Sequence, residues 1–432
     1  MIENTPVTDS SGLNDNKSIN PKIGTLRDYR VLHVTPSFPP DKGGIADHVS
    51  NLSRYMNEQG NDVSIITPKH LNNKIQRTAL EGSENTTRIR SFYLLGWPYP
   101  TLRNISIPID LGLKIDSIIQ NGSFDVIHVH GQHYPISWIA LNSAHKHNIP
   151  SVLTVHGTYA LNPKVLGGKT RFEEWFNKHV FTRILTKTTA VIGLTKQVTD
   201  YAKQFGEKST HYYTVGNGVN TRLYKKNLVN KKKYRLKYGI DPEAIVILFR
   251  GRFDHNKSVI EFAKAAKKII KYDPRSNKVE VVVVGGGPLE SEVYSILRDV
   301  EDVHLLNYQP YDQVHELYIA SDIFVIPSKY EGLPIALVEA MNAFLHIVYT
   351  SVGGMPDILR GYFPQTKLAN TSSEEIHRVL TSLLAGFQTG RAIDNESITY
   401  AQSLDWTNIA LSVSKIYAEL KEGDHTPLMT HL

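Results

Sequence analysis

The chain has 432 residues, 41% apolar and 21% charged, which is typical of a folded globular protein with more than one hydrophobic core. Its net charge of +6 is mild for this length and compatible with an anionic small molecule or a membrane surface. The absence of cysteine excludes disulfides and thiolate metal sites, and no zinc spacing, basic recognition helix or aromatic RNA-binding motif indicates nucleic acid.

The N-terminal residues 1–26 are polar and lack a charged-then-apolar signal sequence, so we predict a disordered tail. No later window approaches the roughly 20 apolar residues that a membrane-spanning helix needs. A chain without cysteine fits a reducing compartment. We therefore expect a cytoplasmic protein, either free or peripheral to the inner face of the membrane.

Short β-branched segments alternate with amphipathic segments along most of the chain, which predicts parallel sheets covered by helices on both faces. Helices are predicted between most strands, for example at 44–59, 257–271, 312–320 and 333–343. The eleven predicted strands lie at 30–35, 63–67, 125–130, 151–155, 190–194, 211–215, 245–249, 279–284, 303–306, 323–326 and 347–350. So many strands exceed one ordinary open sheet, and two α/β domains are predicted.

The alternation stops at 217–237, where a basic segment of low apolar content is typical of a solvated linker and helix face. We therefore predict an N-terminal domain at 27–217 and a C-terminal domain at 218–405. After about residue 366, helices dominate the pattern.

Two glycine-rich turns follow predicted strands. Gly43-Gly44 opens the helix after strand 30–35, and Gly285-Gly286-Gly287-Pro288 follows strand 279–284. Such turns let a phosphate approach backbone N–H groups at a helix N-terminus, where the helix dipole favours an anion. Each turn also fits a plain need for flexible backbone, and the second lacks the full dinucleotide fingerprint.

Arg252 and Lys257 lie between strand 245–249 and the helix that follows it. Cations at a helix N-terminus oppose the helix dipole, and an anion bound between them would relieve that conflict. Arginine offers a fork for phosphate oxygens and lysine a point charge. The pattern favours an anion site over ordinary surface charge.

Glu331 and Glu339 stand in a loop and a helix that are otherwise apolar. Isolated carboxylates are costly to bury unless hydrogen-bond donors satisfy them. Sugar and ribose hydroxyls are such donors, and a buried structural ion pair is the alternative. Chemistry alone leaves both open.

Together these residues resemble the retaining glycosyltransferase family 4, also called glycosyltransferase group 1, which has the GT-B fold. The most specific part is the pair Glu331 and Glu339 with seven residues between them, where Glu331 lies in the motif Pro-Ser-x-x-Glu-Gly-Leu-Pro. The resemblance runs from about residue 29 to 420. Further matching motifs occur in the family's order: Gly43-Gly44, residues 125–130, Thr154-Val155-His156, residues 217–220, Gly251-Arg252 with Lys257, residues 285–288 and Gly353-Gly354.

The resemblance implies an α/β architecture of two Rossmann-like domains facing each other across a cleft, with a C-terminal helix at about 406–422 crossing back onto the N-terminal domain. It implies that the N-terminal domain binds the acceptor and the C-terminal domain the nucleotide sugar. The passage between the domains would lie at Asn217-Gly218.

Roles follow from the resemblance for the matching positions. Arg252 and Lys257 would bind the donor diphosphate, Glu331 the donor sugar and Glu339 the ribose, while His156 would lie beside the sugar on the reacting side. His156, Arg252, Lys257 and Glu331 form the predicted catalytic set. The other predicted donor-binding residues are Gly43, Gly44, Gly286, Gly287, Leu333, Pro334 and Ile335. Acceptor-side candidates are His130, Trp97 and Tyr134, with a structural role as the alternative for His130.

One departure from the family pattern lies after Glu339. Phe344 and His346 occupy positions where the family usually has glycine and proline. Glycine there would supply a left-handed helix end, which phenylalanine adopts only with strain. We therefore expect a remodelled helix exit. In addition, Pro334 removes one N–H donor from the phosphate loop.

The implied reaction moves a hexose-like unit from a nucleotide-diphosphate sugar, such as a UDP-sugar, to a hydroxyl of a glycan, lipid-linked or small-molecule acceptor. The resemblance implies retention by front-face attack, in glycan, polysaccharide or glycoconjugate biosynthesis. We expect neither a cofactor nor a metal, because Arg252, Lys257 and helix N-terminal amides can stabilise the departing diphosphate.

Two alternatives remain open for the reaction: an inverting enzyme or phosphorylase of the same fold, and a non-catalytic sugar-nucleotide-binding subunit. The segment 164–187 mixes basic and aromatic residues, a composition that can dock on an anionic membrane or form an ordinary packed helix.

Overall fold

The computed structural model describes residues 28–41, 43–70, 86–93, 106–108, 110, 112–157, 175–207, 209–224, 228–272, 278–309, 311–387 and 393–422. The predicted N-terminal tail, Trp97 and residues 164–174 of the segment 164–187 lie outside these residues.

The first half of the chain forms an eight-stranded sheet in the order β4-β3-β2-β1-β5-β6-β7-β8. The strands are β1 (Arg30–Val34), β2 (Asp62–His70), β3 (Thr86–Tyr93), β4 (Ser106–Pro108), β5 (Val126–His130), β6 (Ser151–Val155), β7 (Ala190–Gly193) and β8 (His211–Thr214). Neighbouring strands are parallel except β3 and β4, which pair antiparallel.

The second half forms a six-stranded, entirely parallel sheet in the order β11-β10-β9-β12-β13-β14. Its strands are β9 (Ile245–Arg252), β10 (Val279–Gly286), β11 (Val303–Leu306), β12 (Ile323–Ile326), β13 (His346–Thr350) and β14 (Gln365–Leu368). These two sheets confirm the predicted pair of Rossmann-like halves.

Helices cover both faces of the sheets, with a π-helical turn at Asn177–Phe181 and a 3-10 turn at Thr221–Tyr224. In chain order they are α1 (Gly44–Glu58), α2 (Leu113–Asn121), α3 (Pro135–Lys146), α4 (Thr182–Leu185), α5 (Lys196–Lys203), α6 (Leu228–Lys237), α7 (Val259–Tyr272), α8 (Glu290–Leu297), α9 (Tyr311–Ala320), α10 (Ile335–Asn342), α11 (Met355–Leu359), α12 (Ser373–Ala385), α13 (Asn395–Ser403) and α14 (Trp406–Glu422). None of the helices in the described ranges is long and apolar enough to span a membrane.

Strand β9 shows why these segments form buried parallel strands. Ile245, Ile247 and Phe249 pack into one hydrophobic cluster, while Val246 and Leu248 pack into the cluster on the opposite face. Because successive side chains of a strand point to opposite faces, a continuous apolar run satisfies both layers of helices at once.

All eleven predicted strands occur in the structure, and β3, β4 and β14 are additional. Strand β4 has only three residues, and β14 is an edge strand with a single buried residue, Leu368, so neither carries an apolar run that sequence inspection detects. Strands β9 and β10 also extend beyond their predicted ends, because Gly251 and Arg252 pair with Gly285 and Gly286. These residues end strands rather than forming free loops.

Helix α14 returns to the first half of the chain, as predicted. Its Trp406, Val413 and Tyr417 pack in one cluster with Val31 of β1 and Met56 of α1. The predicted domain limits at 217 and 405 stay predictions.

Two chain segments run side by side at the crossing between the halves. The Val219 N–H donates to the Leu404 carbonyl (2.9 Å), and the Trp406 N–H donates to the Val219 carbonyl (3.0 Å). The chain crosses into the second half near Val219 and returns to the first half near Trp406, so both crossings lie at one place.

The expected remodelling of the α10 exit is wrong. Phe344 adopts the left-handed conformation, with φ of 59°, that glycine would supply. The Leu345 N–H donates to the Ala340 carbonyl (3.1 Å) and the Phe344 N–H to the Met341 carbonyl (3.0 Å), which is the hydrogen-bond pattern of a Schellman helix end. The geometry is kept and the strain remains. His346 opens β13, with Nε2 2.8 Å from Thr366 Oγ1.

Candidate active site

The predicted site residues gather where the strand order of each sheet reverses. In the first sheet this point lies between β1 and β5, and in the second between β9 and β12. In open α/β sheets, ligands bind outside the carboxyl ends of the strands at such a reversal. His130 and Arg252 are the last residues of β5 and β9, respectively.

Lys257 and Glu331 contact each other directly. Lys257 Nζ forms an ion pair with Glu331 Oε1, and their side chains are 23% and 10% exposed. Asn256 also joins the loops that carry Lys257 and Glu331. Its side-chain Nδ2 donates to the Tyr330 backbone carbonyl (2.9 Å), and its backbone carbonyl accepts from the Lys329 N–H (2.8 Å). The loop after β9 and the loop after β12 therefore form one wall.

Arg252 presents the most accessible cation of the predicted set. Its side chain is 63% exposed, and its Nε lies 3.5 Å from Asp254 Oδ2, which is a weak pairing. The guanidinium therefore retains most of its donors for an anion at the sheet edge.

Glu339 occupies a different environment from Glu331. It is fully buried, and its oxygens accept hydrogen bonds from Arg250 Nη1 (2.6 Å), Tyr318 OH (2.8 Å) and Tyr224 OH (3.0 Å). Burial alone would lower the pKa of Arg250, but the adjacent Glu339 carboxylate raises it well above its usual value. The structure thus contains the buried ion pair that was the alternative for Glu339, and ribose binding stays a prediction.

The two halves touch at the backbone of Gly332. A Cβ at this position would lie 2.0 Å from the His156 carbonyl oxygen, so only glycine allows the approach. Asn217 joins the halves as well: its Nδ2 donates to the Leu333 carbonyl (2.5 Å), and its Oδ1 lies 2.7 Å from His48 Nδ1. His156 and the Glu331 loop therefore face each other across a narrow cleft.

The two glycine turns differ in their surroundings. Among the described residues, a Cβ at Gly43 or Gly44 would meet nothing within 4 Å, so open space lies in front of α1. A Cβ at Gly287 would lie 2.7 Å from the Phe253 carbonyl oxygen, and one at Gly286 would lie 3.2 Å from Glu290 Oε2. Close packing against backbone accounts for glycine at position 287, whereas no described residue blocks a ligand at the first turn.

Leu333 and Ile335 are buried, so their backbone rather than their side chains can face the cleft. Pro334 precedes the first residue of α10 in an extended conformation and has no N–H to offer. On the acceptor side, Tyr134 precedes α3, directly after the loop that leaves β5. The roles predicted for these residues stay predictions.

A group of five buried or half-buried histidines backs the cleft in the first half: His33, His48, His128, His130 and His156. Burial lowers the pKa of every one of them, to about 3 for His33 and about 4 for His48. The rings are therefore neutral at neutral pH.

His130 was predicted as an acceptor-side candidate, with a structural role as the alternative, and it does not reach the cleft surface. It is completely buried, with Nε2 2.8 Å from His33 Nδ1 and Nδ1 3.3 Å from His156 Nε2. His156, which is half-buried, is the member of this chain that reaches the cleft.

Sequence reasoning missed Arg250 and the two tyrosines around Glu339, as well as His33 and His48. The only local signal for the histidine group was the spacing of His128 and His130, which puts both on one face of β5. Nothing near position 33 or 250 in the sequence indicates their partners.

Two family descriptions match consecutive parts of the chain: Glycosyltransferase Family 4 over residues 42–223, and Glycosyl transferases group 1 over residues 230–397. Between them they cover every strand of the two sheets except β1. The chain belongs to the family 4, group 1 glycosyltransferases.

Known relatives agree with this family. The chain is 26% identical over 402 residues to the phosphatidyl-myo-inositol mannosyltransferase of Propionibacterium freudenreichii, covering 90% of this chain and 94% of that protein. Sucrose-phosphate synthase from Thermosynechococcus elongatus has a similar structure (TM-score 0.70, 18% identity, 91% of this chain and 100% of that one). The structure of Anabaena Alr3699/HepE in complex with UDP is also similar, with a TM-score of 0.68 and 16% identity over 90% of this chain and 100% of that one. The glycosyltransferase therefore has the GT-B fold.

Proposed function

We propose that this glycosyltransferase moves a sugar from a nucleoside-diphosphate sugar to a hydroxyl acceptor with retention at the anomeric carbon and without a metal. The observation that carries the proposal is the wall formed by Arg252, Lys257 and Glu331, which faces His156 across the cleft. The UDP bound to the structurally similar Anabaena protein supports a nucleoside diphosphate as part of the donor.

Departure of the nucleoside diphosphate places negative charge on the oxygen that bridges it to the sugar. The accessible guanidinium of Arg252 and the ammonium of Lys257 would stabilise that charge, because fixed cations in a narrow cleft need little reorganisation. The open N-terminus of α1 at Gly43-Gly44 would add backbone N–H groups. These cations would perform the role that a divalent metal has in other transferases.

Glu331 would bind hydroxyls of the donor sugar, since one of its oxygens is held by Lys257 and the other can accept. No protein nucleophile is assigned. The acceptor hydroxyl would attack from the face that the diphosphate leaves, and a departing phosphate oxygen would take its proton. Closure of the halves around Gly332 would keep water from the sugar.

The donor site can be tested by a thermal-shift screen with UDP-, GDP-, ADP- and TDP-sugars, followed by transfer assays with the stabilising donor. Replacing Arg252 with Ala should lower kcat by about 10²–10³-fold, the usual effect of removing one charge-stabilising donor. Arg298 is a matched control at the C-terminal end of α8. Its side chain is 70% exposed, and its Nε lies 3.6 Å from Asp299 Oδ2, a pairing like that of Arg252. Equal turnover of R252A and R298A would defeat the proposal.

Retention is tested separately by following the anomeric proton of the product by NMR. Product with inverted configuration would leave donor binding intact and refute only the front-face mechanism. The non-catalytic alternative predicts that a nucleotide sugar binds but neither transfer nor donor hydrolysis occurs.

The acceptor would be a glycan, a small-molecule hydroxyl compound or a lipid-linked compound. The name of the mannosyltransferase relative indicates a phosphatidylinositol acceptor for that protein. Trp175, 52% exposed in this chain, is followed by Lys178 and Arg183, which supports contact with an anionic membrane. Sedimentation with vesicles that contain anionic lipid, compared with neutral vesicles, tests that contact.

A further inference from the structure

Three histidines of the first sheet form a continuous hydrogen-bonded chain that leads to the cleft. His33 lies on β1, His130 on β5 and His156 directly after β6, and these strands are neighbours in the sheet. Nδ1 of His33 lies 2.8 Å from Nε2 of His130, and Nδ1 of His130 lies 3.3 Å from Nε2 of His156. Both ring nitrogens of His130 are therefore hydrogen-bonded to other histidines.

The spacing of the first pair favours hydrogen bonds over a metal centre. His33, His128 and His130 have ring nitrogens within 4.8 Å of one another, as do His48, His130 and His156. Nitrogens that share one zinc ion at about 2.0–2.1 Å lie roughly 3.3 Å apart in a tetrahedral site. The separation of 2.8 Å between His33 and His130 is shorter than that and typical of a hydrogen bond.

The other two histidines have separate hydrogen-bond partners. Both ring nitrogens of His128 are engaged, with Thr154 Oγ1 at 2.7 Å and with the hydroxyl of Tyr417. His48 Nδ1 lies 2.7 Å from Asn217 Oδ1. These contacts leave His33, His130 and His156 as a linear chain of three.

Only two arrangements of protons satisfy a chain of three neutral imidazoles, because each ring then carries one N–H and one acceptor nitrogen. In the first, every N–H points toward the cleft: His33 Nδ1–H donates to His130, and His130 Nδ1–H donates to His156. In the second, every N–H points the other way.

The buried end of the chain decides between these arrangements. His33 Nε2 is buried and has no hydrogen-bond partner among the described residues. In the second arrangement this atom would be a buried N–H without an acceptor, and such donors are rarer in proteins than unsatisfied acceptors. The first arrangement leaves only an unused lone pair there, so it is favoured.

We propose that His33 is a positioning residue that acts through His130 to hold His156 as the tautomer protonated on Nδ1, a neutral donor toward the cleft. This inference rests on the proposed sugar transfer and goes beyond it, because it assigns a role to two residues that never touch a substrate. A neutral donor can hydrogen-bond a sugar hydroxyl or a developing oxyanion without attracting a second phosphate.

The tautomer can be measured in the intact resting protein by long-range proton–nitrogen correlation NMR of ¹⁵N-histidine-labelled protein, with His156 assigned from a His156→Gln sample. We expect a protonated Nδ1 and a bare Nε2 for His156. A protonated Nε2 would overturn the proposal. So would binding of one equivalent of added Zn²⁺ that shifts the resonances of all three rings, because the site would then be a metal centre.

Variants at position 33 separate positioning from packing. His33→Leu removes the donor at the start of the chain, so His156 should become a mixture of tautomers and kcat should fall about 10–100-fold with little change in donor KM. His33→Asn places a carboxamide donor near the former Nδ1 and should restore both the tautomer and kcat. His128→Leu is the matched control, equally buried but outside the chain, and should lower stability without altering the His156 tautomer.

Unchanged kcat and tautomer in His33→Leu, with transfer lost in His156→Gln, would refute the role of His33. If the His33→Leu variant does not fold, the tautomer of His156 in the wild-type protein still tests the proposal. If no nucleotide sugar supports transfer by the wild type, the proposed function fails, while the NMR result still tests the chain of histidines by itself.

Discussion

The buried Arg250–Glu339 pair allows a decisive test of what Glu339 does. Family resemblance assigns this carboxylate to the ribose, whereas the structure engages it with Arg250, Tyr224 and Tyr318. A structural role and a ligand role predict different consequences for Glu339→Gln, which keeps the shape of the side chain and removes its charge.

The magnitude follows from the burial of the pair. The Glu339 side chain is 0% exposed and that of Arg250 is 17% exposed, so the substitution leaves a mostly buried cation without its anion. Removing one partner of a buried ion pair costs about 3–5 kcal/mol. For a domain of this size, each kcal/mol of lost unfolding free energy lowers the melting temperature by roughly 2–4 °C. We therefore expect the melting temperature of Glu339→Gln to fall by about 6–20 °C.

The assay is thermal and urea unfolding of the wild type and Glu339→Gln, together with donor KM at a temperature where both are folded. Glu243→Gln is the control, since it removes the charge from an exposed ion pair with Lys232 and should cost less than about 1 kcal/mol. Replacing both Arg250 and Glu339 with Met and Leu should recover most of the lost stability. A stability change in Glu339→Gln below about 0.5 kcal/mol, with a large rise in donor KM, would refute the structural role.

Three further predictions concern strain and protonation. Phe344 is left-handed, so Phe344→Gly should be more stable than Phe344→Ala by about 1 kcal/mol in urea unfolding, the reverse of the usual order, and an equal or more stable Ala variant would contradict this. The buried histidines have lowered pKa values, so below pH 6.5 the unfolded chain binds more protons than the folded one, and stability should fall by about 1.4 kcal/mol per histidine per pH unit. A melting temperature that stays flat between pH 7.5 and 5.5 would argue against neutral rings. Burial raises the pKa of Asp47 to about 6, so its favourable contribution is present below pH 4 and lost as pH rises through 6. Asp47→Asn should therefore raise stability at pH 7 by up to about 3 kcal/mol, and a loss of stability at that pH would count against the raised pKa.

The sequence predicted the element types and their order because apolar periodicity is a local property. The run from Ile245 to Phe249 must be a buried strand whatever it pairs with, since both of its faces are apolar. The motifs at Arg252, Lys257 and Glu331 were predictable for a similar reason, because each lies where a strand ends, and parallel strands of one sheet end at a common edge.

Partner choice between distant segments was decided only by the tertiary structure. Arg250 and Glu339 are 89 residues apart in the chain, and His33 and His130 are 97 apart. Whether a carboxylate faces a ligand or a buried arginine depends on which strand lies beside its helix, and strand order is not encoded in local periodicity. The sequence by itself thus determined the strands, helices and cleft-edge motifs, while the folded chain decided which charges and imidazoles meet, because those contacts join elements that sequence patterns describe separately.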